Sequence, residues 1–518
     1  MLKKYVIKRT HNREALFDID GPTPIQISKY WQKIYDVGLA LGKSDYYIAC
    51  NDNNKKAIFH KDNPEKPISG WWDWIKFDSG LFIGLSDYYV VEDEHGQQAI
   101  FHKDNPEKPI SGWWEHIVSN CGLINGESEY YVVKNHQHQR AIFHKDDPHK
   151  PVSRWWDSVF VDSGLVQNKS DYYIAEHDHK YAIFCKNNPH KPISKWWTVI
   201  YEQGLVEGES KYYIVVNNRG RLAVFHKDKP TKALTGWHPY IWHYGLVEGH
   251  SEYYMAEDED GRKAIFSLDQ PRKPITLWWD KIKTDGLIEG KSDYYIAYNE
   301  SQYAIFHKDN PDEPVSEWWK EFLYDGLTMN RSEYYIAVNN QEQYAIFHKS
   351  EKKYPLSPWC YYISPVGLVN GTSNCYIAQI SSSEPLGVYI ADDPLYAIYT
   401  IPDNIDSRII LYVDVFIVVF CDMQKNQIII YDLDSQKNYK AVDFDSLSIV
   451  RIHQTSLYIS KYIHYSLIPV IFYKMFIVYN IDTDELLRFD TEEEMNKYIA
   501  EHVAKRVAKS SADMLRLY

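Results

Sequence analysis

Apolar and polar positions alternate in short bursts, and the bursts recur. A Ser-Asp-Tyr-Tyr-Ile-Ala segment is followed by a polar stretch, then Ala-Ile-Phe-His-Lys, and the pattern returns every 40 to 42 residues. The Tyr-Tyr pairs end at Tyr47, Tyr89, Tyr131, Tyr173, Tyr213, Tyr254, Tyr295 and Tyr335, with degenerate members at Tyr5 and Tyr376. Short segments rich in aromatic and β-branched residues predict strands. The polar stretch between them varies freely, as Asn51–Lys56 in one repeat and Glu92–Gln98 in the next. It predicts a hairpin tip facing water.

A hydroxyl residue stands ten positions after the Phe in eight repeats: Ser69, Ser111, Ser153, Ser194, Thr235, Thr276, Ser316 and Ser357. Ser or Thr at a chain reversal satisfies the free N–H groups of a helix start. Pro358 after Ser357 suits the first helical position. Trp71 and Ile75 lie four apart, on one helical face. Gly80, Gly122, Gly164, Gly204, Gly245, Gly286, Gly326 and Gly367 are each followed by Leu, the pattern of a helix stop. The reading is strand, strand, short helix.

A lone ββα repeat of about 41 residues cannot bury its own core, whereas stacked neighbours can. The expected fold is therefore an α+β repeat protein of tandem ββα units in an open or superhelical solenoid. A closed propeller-like ring is the alternative; propellers use four strands per blade at this length, and two are legible. Residues 1–41 read as a degenerate capping repeat and 42–390 as the tandem array. Residues 391–518 read as a β-rich module, with strands over Ile409–Phe420, Ile428–Leu433, Leu447–Ile452 and Val470–Ile481. Thr491 with Glu494 forms a capping box before an amphipathic helix carrying Met495, Tyr498, Ile499, Val503 and Val507. Its Lys505, Arg506 and Lys509 read as a solvated face.

The aromatic hairpin, the Pro-Ile-Ser-x-Trp-Trp segment and the Gly-Leu leading into the next repeat together resemble the bacterial WG (KWG-type) repeat over about residues 1–390. The family's Trp-Gly dipeptide is replaced here by Ala-Ile-Phe, and the Trp pair comes later. The resemblance implies a repeat scaffold whose members mostly have no known catalytic role, and it carries over no site residues.

Composition narrows the function classes. The net charge of −14 argues against a general nucleic-acid binder. The six cysteines (Cys50, Cys121, Cys185, Cys360, Cys375, Cys421) make no CxxC pair or zinc-type cluster. Residues 1–9 lack an apolar core of signal-peptide length, and no apolar run suits a membrane span. A reducing, cytoplasmic setting is expected.

His60, His102, His144, His226, His307 and His348 precede Lys, but Cys185 and Ser267 replace them elsewhere, so these read as surface turns. Gly38–Ser44 and Gly286–Ser292 are one residue short of a phosphate-binding loop and precede a strand where such a loop precedes a helix; they read as turns. Glu257, Asp258, Glu259 and Asp260 fall in a hairpin tip and read as solubility charge. No catalytic, cofactor or metal set is legible.

The Trp pairs carry the functional expectation. The first members, Trp71, Trp113, Trp155, Trp196, Trp237, Trp278, Trp318 and Trp359, read as core. The second members, Trp72, Trp114, Trp156, Trp197, Trp279 and Trp319, give way to His238 and Cys360 elsewhere and read as less deeply packed. Their structural role would be to seal the joint between repeats. Their functional role would be a ladder that grips a peptide or stacks on sugar rings. The leading expectation is a non-enzymatic protein-binding scaffold. The rivals are a carbohydrate-binding protein using the Trp ladder and an enzyme with its site in residues 391–518.

Overall fold

Each repeat folds as one small antiparallel sheet. The computed structural model describes residues 4–323 and 326–401. Beyond these it describes 408–413, 417–422, 427–432, 437–443, 467–472, 475–480, 485–489, 491 and 493–502. The chain divides into two compact units, residues 1–260 with 266–274, and 261–265 with 275–518. In the repeat that begins at Trp74, the strand order is Trp74–Ile75, Tyr88–Glu92, Gln98–His102. The backbone of Trp114 completes it by exchanging two hydrogen bonds with Gln98, of 2.7 and 2.9 Å.

Side chains alternate between the two faces of a strand, and here both faces are buried. Tyr89, Val90, Val91, Ala99 and Ile100 are fully buried and Phe101 nearly so. Val90 and Ile100 pack forward on Ile117, Leu123 and Tyr131 of the next repeat. Tyr89, Val91, Ala99 and Phe101 pack backward on Ile48 and Ile58 of the previous one. The core therefore lies between repeats. Tyr89 faces Phe101 across the strands, with rings stacked at 5.8 Å.

The helix expected between Ser69 and Gly80 is absent. The Trp-Trp segment is extended, because the third strand uses its backbone. Lys56 exchanges hydrogen bonds of 2.8 and 2.9 Å with Trp72, and Ile68 donates to the Ile58 carbonyl at 2.8 Å. The Ser69 hydroxyl accepts from the Ile58 N–H at 2.9 Å and donates to the Gly70 carbonyl at 2.8 Å. It takes the place of a backbone carbonyl where this edge segment bulges away from the strand. The same acceptance, at 2.9–3.0 Å, recurs at Ser28, Ser111, Ser153, Ser194, Thr235, Thr276, Ser316 and Ser357.

The Gly-Leu pair opens a tight turn rather than ending a helix. Gly80–Ile83 and Gly122–Asn125 make single helical turns, and Gly38–Leu41 a 3₁₀ turn. At Gly164 (φ +56°) a Cβ would lie 2.2 Å from the Tyr172 carbonyl, and at Gly208 (φ +78°) 2.3 Å from the Lys169 carbonyl of the preceding turn. Only glycine allows that approach. Successive turns are tied by a serine. Ser170 donates to the Val206 carbonyl at 2.5 Å, and Ser128, Ser210, Ser332 and Ser373 do the same to Val166, Val247, Val369 and Val413 at 2.6 Å.

The repeat geometry runs past residue 390. Cys375–Gln379 pairs with Gly387–Ile390, and Ile398 donates to Val388 at 2.8 Å as Ile68 does to Ile58. Cys375, Ile377 and Val388 then pack on Ile401, Val413 and Val418. A four-stranded sheet follows over Arg408–Val413, Ile417–Asp422, Gln427–Asp432 and Lys437–Asp443, and a three-stranded one over Leu467–Phe472, Met475–Asn480 and Glu485–Phe489. The expected strand at 447–452 lies outside the described residues. Residues 493–502 are helical. Thr491 Oγ1 accepts from the Glu494 N–H at 3.2 Å, and Met495 and Ile499 are buried. Val503, Lys505, Arg506, Val507 and Lys509 lie outside the described residues. Among the described residues no helix is long and apolar enough to cross a membrane.

Replacing Ser153 by Ala leaves the Ile142 N–H buried without its acceptor, a loss of about 1–3 kcal/mol. Hydrogen exchange should show the Ile142 amide losing protection in Ser153→Ala and keeping it in Ser153→Thr, since Thr235 and Thr276 do the same job elsewhere.

Candidate functional site

The six second-position tryptophans all sit in joints between repeats. Trp72 lies 5.3 Å from Phe101 and 5.7 Å from Trp113, both in the following repeat. Trp114 meets Phe143 and Trp155 at 5.1 and 5.5 Å, and Trp156 meets Phe184 and Trp196 at 4.8 and 5.6 Å. Trp197 meets Phe225 and Trp237 at 5.3 and 5.7 Å, Trp279 meets Phe306 and Trp318 at 5.1 and 5.7 Å, and Trp319 meets Phe347 and Trp359 at 5.5 and 5.2 Å. Trp31 is a seventh member that the sequence reading left out, 5.0 Å from Phe59 and 5.6 Å from Trp71. Its signal was present: Ser28 stands three residues before it as Ser69 does before Trp72.

Exposure reverses the expected order in the pairs Trp71–Trp72 and Trp155–Trp156, where the second member is the more buried. Trp156 is 8% exposed, whereas the first-position Trp71 and Trp237 are 37% and 38% exposed. First-position rings lean edge-on against the Phe of their own repeat, as Trp113 does on Phe101 at 6.2 Å, and show their other side to solvent. Sequence spacing could not separate the two members, because the separation is made by the strand bond at Trp72, which anchors one ring inward.

The indole N–H groups of all seven are buried, and so is the phenol of the second Tyr in each repeat that follows. Burial raises the pKa of these phenols, Tyr89 and Tyr173 among them. In two joints the indole N–H works against that rise, Trp156 toward Tyr173 and Trp279 toward Tyr295, without completing a hydrogen bond. Where His238 and Cys360 replace the indole, the phenol turns to a carbonyl instead. Tyr254 donates to Pro271 at 2.5 Å and Tyr376 to Pro394 at 3.0 Å.

The His-Lys positions are turns, as expected. The His60 ring stands edge-on to Tyr46 at 5.0 Å, its Nδ1 accepts from the Asp62 N–H at 3.2 Å, and Lys61 pairs with Asp45 at 2.8 Å. Among the described residues no group of three His, Cys, Asp or Glu side chains could hold a metal ion. The five described cysteines are free, and burial pushes the Cys121 and Cys360 thiols up to about 12, far from a reactive thiolate.

Two open grooves stand out, and both are built from the same parts. Each lies between the loop that follows the third strand in one repeat and the matching loop of the next. The first is lined by Lys150, Pro151, Arg154, Trp155, Lys186 and His190. The second is lined by Tyr294, His307, Asn310, Glu313, Lys349 and Lys352. These loops, with the first-position tryptophans beside them, form the candidate interaction face.

Trp156→Ala should cost about 3–5 kcal/mol, as for a truncated core aromatic, and Trp237→Ala about half as much. Trp156→His should fall between wild type and Trp156→Ala, since His238 fills the same place. Urea melts of the full chain decide it, and equal losses for Trp156→Ala and Trp237→Ala would contradict the assignment.

No family model matches the chain, and no curated protein matches it. Among solved structures, KlHsv2 with loop 6CD replaced by a Gly-Ser linker aligns at 9% identity and a TM-score of 0.23, covering 61% of this chain and 96% of that one. The computationally designed Ika8 protein aligns at 5% identity and a TM-score of 0.22, covering 59% and 93%.

Proposed function

We propose that the chain is a non-enzymatic scaffold of WG-like repeats that binds another protein along its loop face. The observation that carries this reading is the recurrence of one groove design between consecutive loops, one of the two walled by the partly exposed Trp155. A surface that repeats a groove at regular intervals suits an extended protein segment, because several modest contacts then act together. Sugar stacking by the second-position tryptophans is less well supported, since their rings are already packed between a Phe and a Trp. Free thiols fit the reducing, cytoplasmic setting proposed for it.

Affinity capture from native extract with the full chain, read by mass spectrometry, tests this. A Trp155→Ala/Trp196→Ala variant, first checked for intact folding, should recover about ten-fold less partner, because aromatic anchors dominate interface energies. A variant neutralising the tip residues Glu92, Asp93 and Glu94 should change recovery by about two-fold or less, as exposed charges mainly adjust association rate. A larger loss in the tip variant would overturn the loop face as the binding surface.

A further inference from the structure

The loop after the third strand keeps its shape from repeat to repeat while its charge drifts. Residues 103–114 balance two cations against two carboxylates. Residues 145–156 hold Lys145, Lys150 and Arg154 against Asp146 and Asp147. Residues 186–197 hold Lys186, Lys191 and Lys195 and no carboxylate at all. Residues 308–319 swing the other way, with Lys308 against Asp309, Asp312, Glu313 and Glu317. Residues 227–238 and 349–360 each hold three lysines against one carboxylate, so in a chain of net charge −14 residues 186–197 stand out as the loop with cations alone.

The fold does not use most of these cations. In these two loops the lysine after the His position is tied down, Lys145 to Glu129 at 2.8 Å and Lys186 to Asp171 at 2.9 Å. Lys150, Arg154, Lys191 and Lys195 are exposed and pair with no carboxylate among the described residues. Arg154 Nε instead reaches across the groove to His190 Nδ1 at 2.9 Å, so two cationic loops are held side by side. The equivalent groove in the other compact unit neutralises itself, since Lys352 crosses to Glu313 at 3.0 Å. The first groove has a volume of about 650 Å³ and an apolar wall of Pro151, Val152 and Trp155.

We propose that this groove seats an extended acidic peptide segment, its carboxylates paired with Lys150 and Arg154, which line the groove, and then with Lys191 and Lys195 further along the following loop, and an apolar side chain laid against Trp155. The inference rests on the scaffold reading and names the chemistry of the partner. Hairpins packed face to face stand about 10 Å apart, which is about three residues of extended peptide, so carboxylates spaced at that interval meet successive loops. A peptide fits better than a nucleic acid. Asp147 lines the groove, and an unbroken line of phosphates would meet it and the acidic remainder of the chain, whereas a peptide places its charges at intervals.

The test uses the full chain and a fluorescein-labelled peptide of about twelve residues, Glu- and Asp-rich with a central Phe, read by fluorescence anisotropy. Its Gln/Asn counterpart and a labelled oligothymidylate of the same length are the comparison probes. The acidic peptide should bind, weaken as salt rises, and lose about ten-fold in affinity in Lys150→Glu/Arg154→Glu. Lys180→Glu/Arg219→Glu makes the same change in net charge at hairpin tips and should cost about two-fold or less. Equal losses in both variants, equal binding of the uncharged peptide, or tighter binding of the oligothymidylate would each overturn the assignment. If the acidic peptide fails while a captured partner is still lost in Trp155→Ala/Trp196→Ala, the assignment falls and the scaffold stands. If neither peptide nor captured partner binds, both fall.

Discussion

Every hairpin in the array has two apolar faces and can cover neither by itself. An isolated two-stranded hairpin is at best marginal in water. Here Val90 and Ile100 on one face and Tyr89 and Phe101 on the other are buried only because a hairpin stands on each side. Each such side chain contributes about 1.5–3 kcal/mol when fully removed from water. The joints, rather than the hairpins, therefore hold the stability, and the other recurring features serve the joint. Glycine lets successive turns approach, serine ties one turn to the next, and the inward tryptophan fills the space between one strand edge and the following Phe.

Much of this was legible in the residues. The period, the hairpin strands, the hydrated tips and the turn character of the His-Lys and Gly-Lys-Ser segments all follow from local pattern. What failed was the segment from Ser69 to Gly80. A hydroxyl, an aromatic four residues before an Ile, and a closing Gly-Leu imitate a capped helix. The competing demand comes from Lys56 and Ile58, more than ten residues back in the chain, whose free N–H and carbonyl groups take the Trp72 backbone and the Ser69 hydroxyl. A non-local hydrogen bond leaves no local signature. Gly70 and Gly112, each directly after the supposed cap, were the available warnings.

The same strand edge explains why the candidate site was only partly legible. The six tryptophans picked out as partner-binding are real landmarks, but the bond at Trp72 turns that ring into the joint and leaves Trp71 facing solvent. Substitution by His238 and Cys360 looked like surface tolerance. In the structure it marks a joint that can be filled in a second way, with Tyr254 and Tyr376 redirected to proline carbonyls. The loops that form the interaction face were legible as fixed-length segments. Their adjacency, and with it the grooves, comes only from stacking.

The claim at the centre of this account is that the core lies between repeats. Hydrogen exchange on the full chain carrying Ile142→Ala tests it most directly. Ile142 packs with Val159, Leu165 and Tyr173 of the following repeat, so the account predicts that amides of Tyr172–His177 and Lys180–Cys185 lose protection along with those of Ile142's own hairpin, while those of Tyr88–Glu92 keep theirs. A loss confined to residues 130–144, with the following hairpin unchanged, would show that each hairpin is stabilised from within and would contradict the account.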